Sequence, residues 1–185
     1  MKFNFRLLFP VVLMAFLGAT GFGGQAVAGS TTEIDAAVDA GLEKFMKEVD
    51  GGAEFLDKAK GYLVFPKVTK AGLVVGGEYG EGALRIGGKT ADYYNIASAS
   101  FGFQIGAQQY SIVMVFLSDE ALQEFRDSKG WEAGVDGSVA VAEWGAGDDI
   151  NTKTFKDPIV AFVFGNKGLM AGVSIEGSKI TKIEK

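Results

Sequence analysis

The chain of 185 residues has no cysteine and no histidine. Without cysteine no disulfide can form, even in an oxidising compartment. Without histidine the chain lacks the usual general base, the commonest zinc ligand, and both the Ser–His and Cys–His nucleophile pairs. Proline is scarce, with only 3 residues. No phosphate-cradling GxxxxGK[ST] pattern occurs, and Gly80-Glu81-Gly82 lacks the third glycine and the strand–helix setting of a dinucleotide fingerprint. Asp148, Asp149 and Asn151 sit in a polar stretch but do not follow the ligand spacing of a calcium loop, so a solvated turn is expected there. What remains for catalysis is carboxylate or Ser–Lys chemistry. Glu78 and Glu81 are the pair to consider, and nothing in the sequence places them in a cleft. The expectation is a protein that is not an enzyme and needs neither cofactor nor metal.

Long apolar runs are also missing. The longest, Leu7 to Ala19, is too short to span a bilayer as a helix, which takes about 20 residues. It follows Lys2 and Arg6 and precedes Ala26-Val27-Ala28, the small-residue pattern of a cleavage site. Residues 1–28 therefore read as a signal peptide cut after Ala28, which makes the mature protein exported and, in a bacterium, periplasmic. Residues 29–185 are then a single domain large enough to hold a core. The leader carries two of the 18 basic and none of the 23 acidic residues, so the mature chain has 16 against 23, a net charge of −7. An acidic body argues against nucleic acid as a partner.

Ser30-Thr31-Thr32-Glu33 has the form of a capping box. Ile34, Val38, Leu42, Phe45, Met46 and Val49 then recur at helical spacing, which predicts an amphipathic helix over 32–50 stopped by Gly51-Gly52. A shorter helix is expected over 53–60 with Gly61 just past its end, and a third over 118–129 behind Ser118. Between and after them the pattern is β-like. Strands are expected at 62–65 (stopped by Pro66), 73–79, 83–86, 93–97, 101–107, 110–117 and 135–144. Residues 159–164 and 169–175 look like a hairpin turning at Gly165-Asn166-Lys167-Gly168. The segment 110–117 is nearly all apolar, which marks a central, buried strand. Trp131 and Trp144 are assigned to core or rim positions.

The 27 glycines are spread through apolar segments rather than gathered in polar linkers. One arrangement occurs three times: Gly72-Leu-Val-Val-Gly76, Gly102-Phe-Gln-Ile-Gly106 and Gly168-Leu-Met-Ala-Gly172. In a strand, residues four apart share a face. Paired glycines leave a bare strip where another backbone can approach or the sheet can curl. The same strip could instead admit a flat apolar ligand. Charge shows one local exception to the acidic surface: Lys58, Lys60, Lys67 and Lys70 bracket the first strand, with Asp57 the nearest acid in sequence. Beside an anionic membrane each would contribute about 1 kcal/mol, so four reach only millimolar affinity and need help from apolar insertion or a headgroup pocket.

The segment Ala59-Lys60-Gly61-Tyr62-Leu63-Val64-Phe65-Pro66-Lys67-Val68-Thr69-Lys70-Ala71-Gly72-Leu73-Val74-Val75-Gly76-Gly77 resembles the opening signature of the SYLF domain. Ala99 to Gln108, followed by Ile112–Leu117, resembles its second signature, and the likeness extends over nearly the whole mature chain. The resemblance implies a lipid-binding module, one that recognises phosphoinositides in eukaryotic members, some of which also bind actin. Lys67 and Lys70 match the family's basic positions; Lys58, Lys60 and Arg85 join them on charge alone. No SH3 or FYVE segment accompanies the domain here. The combined expectation is an α+β domain with a curled, mainly antiparallel, glycine-rich sheet, barrel- or sandwich-like. It would bind anionic phospholipid at the cell envelope through Lys58, Lys60, Lys67, Lys70 and Arg85. The alternative is an envelope protein-interaction module, scaffolding or actin-binding-like.

Overall fold

The computed structural model describes residues 29–72, 75–101, 106–143, 157–168 and 175–185. The proposed leader, Trp144, the loop with Asp148, Asp149 and Asn151, and Gly102 and Gly172 of the glycine pattern lie outside them. Helices α1 (Thr31–Glu48) and α2 (Gly52–Lys58) lead into β1 (Gly61–Gly72), β2 (Val75–Ile86), β3 (Lys89–Phe101) and β4 (Gly106–Phe116). Helix α3 (Asp119–Asp127) follows, then β5 (Trp131–Glu132), β6 (Ala140–Glu143), β7 (Ile159–Gly168) and β8 (Lys179–Ile183). The strands form one sheet in the order β5-β8-β3-β2-β1-β4-β7-β6, antiparallel throughout except for the parallel β6–β7 pair. The sheet curls into a half-barrel, so the chain is α+β.

Period-two alternation in the central strands supplies two cores. Along β7, Ile159, Ala161 and Val163 face one core while Val160, Phe162 and Phe164 face the other. Strand β4 alternates likewise: Ile112, Met114 and Phe116 lie on one side, Val113 and Val115 on the opposite side. Strands buried on both faces read as continuous apolar runs, which is why 110–117 stands out in the sequence. The outer face is covered by α1 and α2. Phe45 and Phe55 pack on Phe162 at ring distances of 5.2 and 4.8 Å. The inner face is closed by α3, whose Phe125 meets Phe116, Tyr94 and Trp131 at 4.9, 5.0 and 5.6 Å.

The helix starts follow their caps. Ser30 Oγ accepts from the Glu33 amide at 3.3 Å, and Glu33 Oε2 accepts from the Ser30 amide at 2.8 Å. Ser118 Oγ accepts from the Ala121 amide at 3.1 Å. Helix α2 begins one residue before the expected start and ends at Lys58, so Gly61 opens β1 instead of closing a helix.

Several strand expectations need correction. Pro66 does not stop β1: the strand continues to Gly72 through an irregularity between Val64 and Lys67, the kind of place where a sheet tolerates proline. Glycine does not split β2, which runs unbroken from Val75 to Ile86. A Cβ at Gly82 would sit 2.0 Å from the Val64 carbonyl oxygen, so the missing side chain lets β2 close on the β1 bulge. Strand β7 runs through Gly165 to Gly168 with no turn there, and the proposed return strand, 169–174, is outside the described residues. The strand expected over 135–144 shrinks to β6 at 140–143. β5 and β8, short and without clear alternation, carry no sequence signal strong enough to predict.

Candidate functional site

The five cations singled out in the sequence do not form one patch. Lys58 ends α2 and pairs with Glu54 at 2.6 Å. Lys60, just before β1, reaches Asp119 of α3 at 3.5 Å. Arg85, near the far end of β2, is almost enclosed: its guanidinium lies 2.7 Å from Asp39 and 3.4 Å from Asp35, both on α1. Arg85 is therefore a clamp between helix and sheet rather than a surface cation. Asp57, the acid that the sequence singles out beside these lysines, is not the only one near them: Glu54 pairs with Lys58 and Asp119 with Lys60.

Lys67 and Lys70 lie farther along β1, about 23 and 33 Å from Lys60 at the usual rise of a strand. They also point to opposite faces. Lys67 is opposite Glu81 and Lys70 opposite Glu78 in the β1–β2 register. Glu78 is on the inner side, buried, where it accepts from Tyr110 Oη at 2.5 Å and Ser178 Oγ at 3.4 Å. Glu81 is on the α1 side, where it accepts from the Gly29 amide at 3.1 Å, from Tyr79 Oη at 2.9 Å and from Lys185 Nζ at 3.3 Å. Each lysine thus faces a carboxylate already engaged by other donors, and neither forms an ion pair among the described residues. The same geometry puts Glu78 and Glu81 on opposite sides of the sheet, so they do not make a carboxylate pair.

On the outer face of β2, two large apolar side chains are open to solvent: Val75 at 60% and Tyr79 at 45%. Tyr79 is opposite Thr69 of β1, two residues from Lys67 on the same face, and Val75 is next to the β1–β2 connection, about 20 Å from Lys67 along the strands. The hairpin end therefore combines a free ammonium with exposed apolar surface.

The inner face at this end is polar. Gln108, Lys70, Glu78 and Ser98 are successive partners across β4, β1, β2 and β3, one rung of the sheet. The inward rungs below are apolar, with Tyr110, Val68 and Ile96 in the core. Burial, reinforced by the bond to Glu78, raises the Tyr110 hydroxyl far above its ordinary titration range, so it remains a donor. Gln108 is 1% exposed, and neither its Nε2 nor its Oε1 meets a partner among the described residues. The rung beyond, toward the strand ends, consists of Gly106, Gly72, Gly76 and Ser100. A Cβ on Gly72 would lie 2.6 Å from the Gly76 Cα, which is the close backbone approach that the repeated glycines predict. Sequence reasoning missed the Gln108 rung, since a lone glutamine in a strand carries no signal until the register is known.

Among the described residues, no helix is long and apolar enough to cross a membrane, and no group of three Asp or Glu side chains is placed to hold a metal ion.

Comparison with known proteins adds kinship. Residues 97–185 match the Ysc84 family, described as "Las17-binding protein actin regulator". The "SH3 domain-containing YSC84-like protein 1" of Rattus norvegicus is 30% identical over 131 residues, covering 68% of this chain and 38% of that protein. Its Homo sapiens counterpart is 31% identical over the same length and coverage. The chain thus spans well under half the length of these relatives. With these matches beside the two signatures, the chain belongs to the Ysc84-type, or SYLF, domain family.

Proposed function

We propose that this domain binds anionic lipid surfaces peripherally, end-on, through the β1–β2 end of the sheet, and that it does so outside the cytoplasm. The observation that carries the reading is the uncompensated Lys67 next to the exposed Tyr79 ring, with exposed Val75 about 20 Å from Lys67 at the hairpin tip. Lys70, on the inner rim of the same end, adds a second charge. Two lysines near an anionic surface contribute about 2 kcal/mol together, too little for stable binding. Burying what remains exposed of Val75 and the Tyr79 ring adds about 1 kcal/mol or a little more each, which brings the total to about 4 kcal/mol and the affinity to about millimolar. The contact is therefore salt-sensitive and also needs apolar insertion. Export rests on the leader read over residues 1–28, and intact mass of the mature protein checks the cut after Ala28.

Co-sedimentation with phosphatidylglycerol vesicles tests the lipid reading. Binding should fall with added salt and drop at least tenfold in Lys67→Glu plus Lys70→Glu, and again in Val75→Asp. Lys58→Glu plus Lys60→Glu, at the distant end, should change it little. Equal loss from both lysine pairs, or equal binding to neutral vesicles at every salt concentration, would rule out this surface.

A protein partner is the second reading, favoured by the family description "Las17-binding protein actin regulator". Retention of one envelope protein on the immobilised domain in lipid-free detergent, abolished by Tyr79→Asp, would favour it over lipid.

A further inference from the structure

The inner polar rung has a chemistry that neither the lipid surface nor the core explains. Lys70 and Glu78 are direct cross-strand neighbours on one face, a pairing that ordinarily closes into an ion pair. Here it does not. The Glu78 carboxylate is turned to the Tyr110 and Ser178 hydroxyls, which hold it in place. On the other side of Lys70, Gln108 has its amide buried with donor and acceptor both unmet. Leaving such an amide unpaired costs about 1–3 kcal/mol, so folded proteins seldom leave one without a use. Beyond the rung, β4, β1 and β2 carry only glycine, at 106, 72 and 76, so these three strands set no further side chain next to Gln108, Lys70 or Glu78 on that side.

We propose that this rung is a binding site for a small zwitterion. The ligand's anionic group meets the Lys70 ammonium, its ammonium meets Glu78, and the Gln108 amide takes a further donor and acceptor on the same molecule. The opposite charges decide the class: a simple anion would be repelled by Glu78 and a simple cation by Lys70, whereas a molecule carrying both satisfies each. The two residues sit on adjacent strands whose backbones are about 5 Å apart, a scale that suits ammonium and acid groups within a few atoms of each other. A free amino acid and an ethanolamine-phosphate headgroup share this chemistry. The site shares Lys70 with the lipid surface proposed above, but Lys67 is on the opposite face of the sheet and belongs to the lipid surface alone, so a Lys67 variant separates the two.

The test is an NMR titration of the purified protein, following the Gln108 side-chain amide pair, which is assigned by its disappearance in Gln108→Met. L-Serine and O-phosphoethanolamine are the soluble probes, and phosphatidylethanolamine vesicles the lipid one. A saturable shift of the Gln108 amide with either soluble probe supports the site, and a shift with vesicles alone supports it with lipid as the source. Lys70→Met should weaken binding at least tenfold, while Lys67→Ala leaves it unchanged but still impairs binding to anionic vesicles. Gln108→Met removes an unmet buried amide and should fold at least as stably, so its loss of binding, read on the neighbouring backbone amides, reports the site and not misfolding. An unmoved Gln108 amide with all three probes overturns the proposal. So do equal shifts with inorganic phosphate or ethanolamine alone, or unaltered affinity in Gln108→Met.

Discussion

Asp35 shows how one side chain ties α1 to the sheet. Its carboxylate accepts from Thr90 Oγ1 at 2.7 Å and from Tyr93 Oη at 2.9 Å, with the Arg85 guanidinium alongside. Burial pushes this carboxyl upward, but the two hydrogen bonds and the arginine charge outweigh it and hold it below its ordinary 3.8. A carboxyl depressed by folding stabilises the native state above its unfolded pKa, and that contribution is lost as pH falls through the folded value. Between pH 5 and pH 2.5 the melting temperature should therefore fall more in the natural protein than in Asp35→Asn, which already lacks the contribution. Parallel slopes in calorimetry would show that Asp35 is not coupled to folding. At pH 7, Asp35→Asn should cost about 1–2 kcal/mol through its weakened hydrogen bonds. Arg85 belongs to the same clamp. Its selection by charge in the sequence was reasonable, yet only the fold reveals that its charge is already met by Asp35 and Asp39.

Among the elements, α1 was the most legible. The capping box, the apolar stripe and the glycine stop all lie in consecutive residues, and the helix forms from Thr31 to Glu48 with Ile34, Val38 and Phe45 buried. Phe45 packs on Phe162 and Phe164 at 5.2 and 5.5 Å. Phe45→Ala should cost about 3–5 kcal/mol, measured by denaturant unfolding, because the aromatic pocket cannot collapse around a methyl group. Met46, one position further and half exposed, should tolerate alanine within about 0.5 kcal/mol, though it belongs to the same apolar run in sequence. The strands were less legible. Glycine and proline were read as stops, whereas β1 and β2 carry them through bulges and close backbone contacts. Local punctuation is ambiguous when a neighbouring strand supplies the hydrogen bonds that let a chain continue.

For the whole molecule, the shared sheet couples the two cores. The same strands, β1, β4 and β7, contribute side chains to both, so neither core can come apart without exposing the other. Phe45→Ala on the outer side and Phe125→Ala on the inner side should therefore both lower a single thermal transition, with near- and far-UV circular dichroism coincident. Two separated transitions in either variant would contradict that coupling. The sequence by itself determined the α+β class, the helices and the N-caps of α1 and α3, the buried central strand and the family signatures, because each is carried by residues close together in the chain. Tertiary structure alone decided which lysines remain uncompensated, that Lys67 and Lys70 face opposite sides, and that Gln108, Lys70, Glu78 and Ser98 share a rung. Those facts depend on strand register, where a shift of one residue exchanges inside for outside, and register is set by partners from distant parts of the chain.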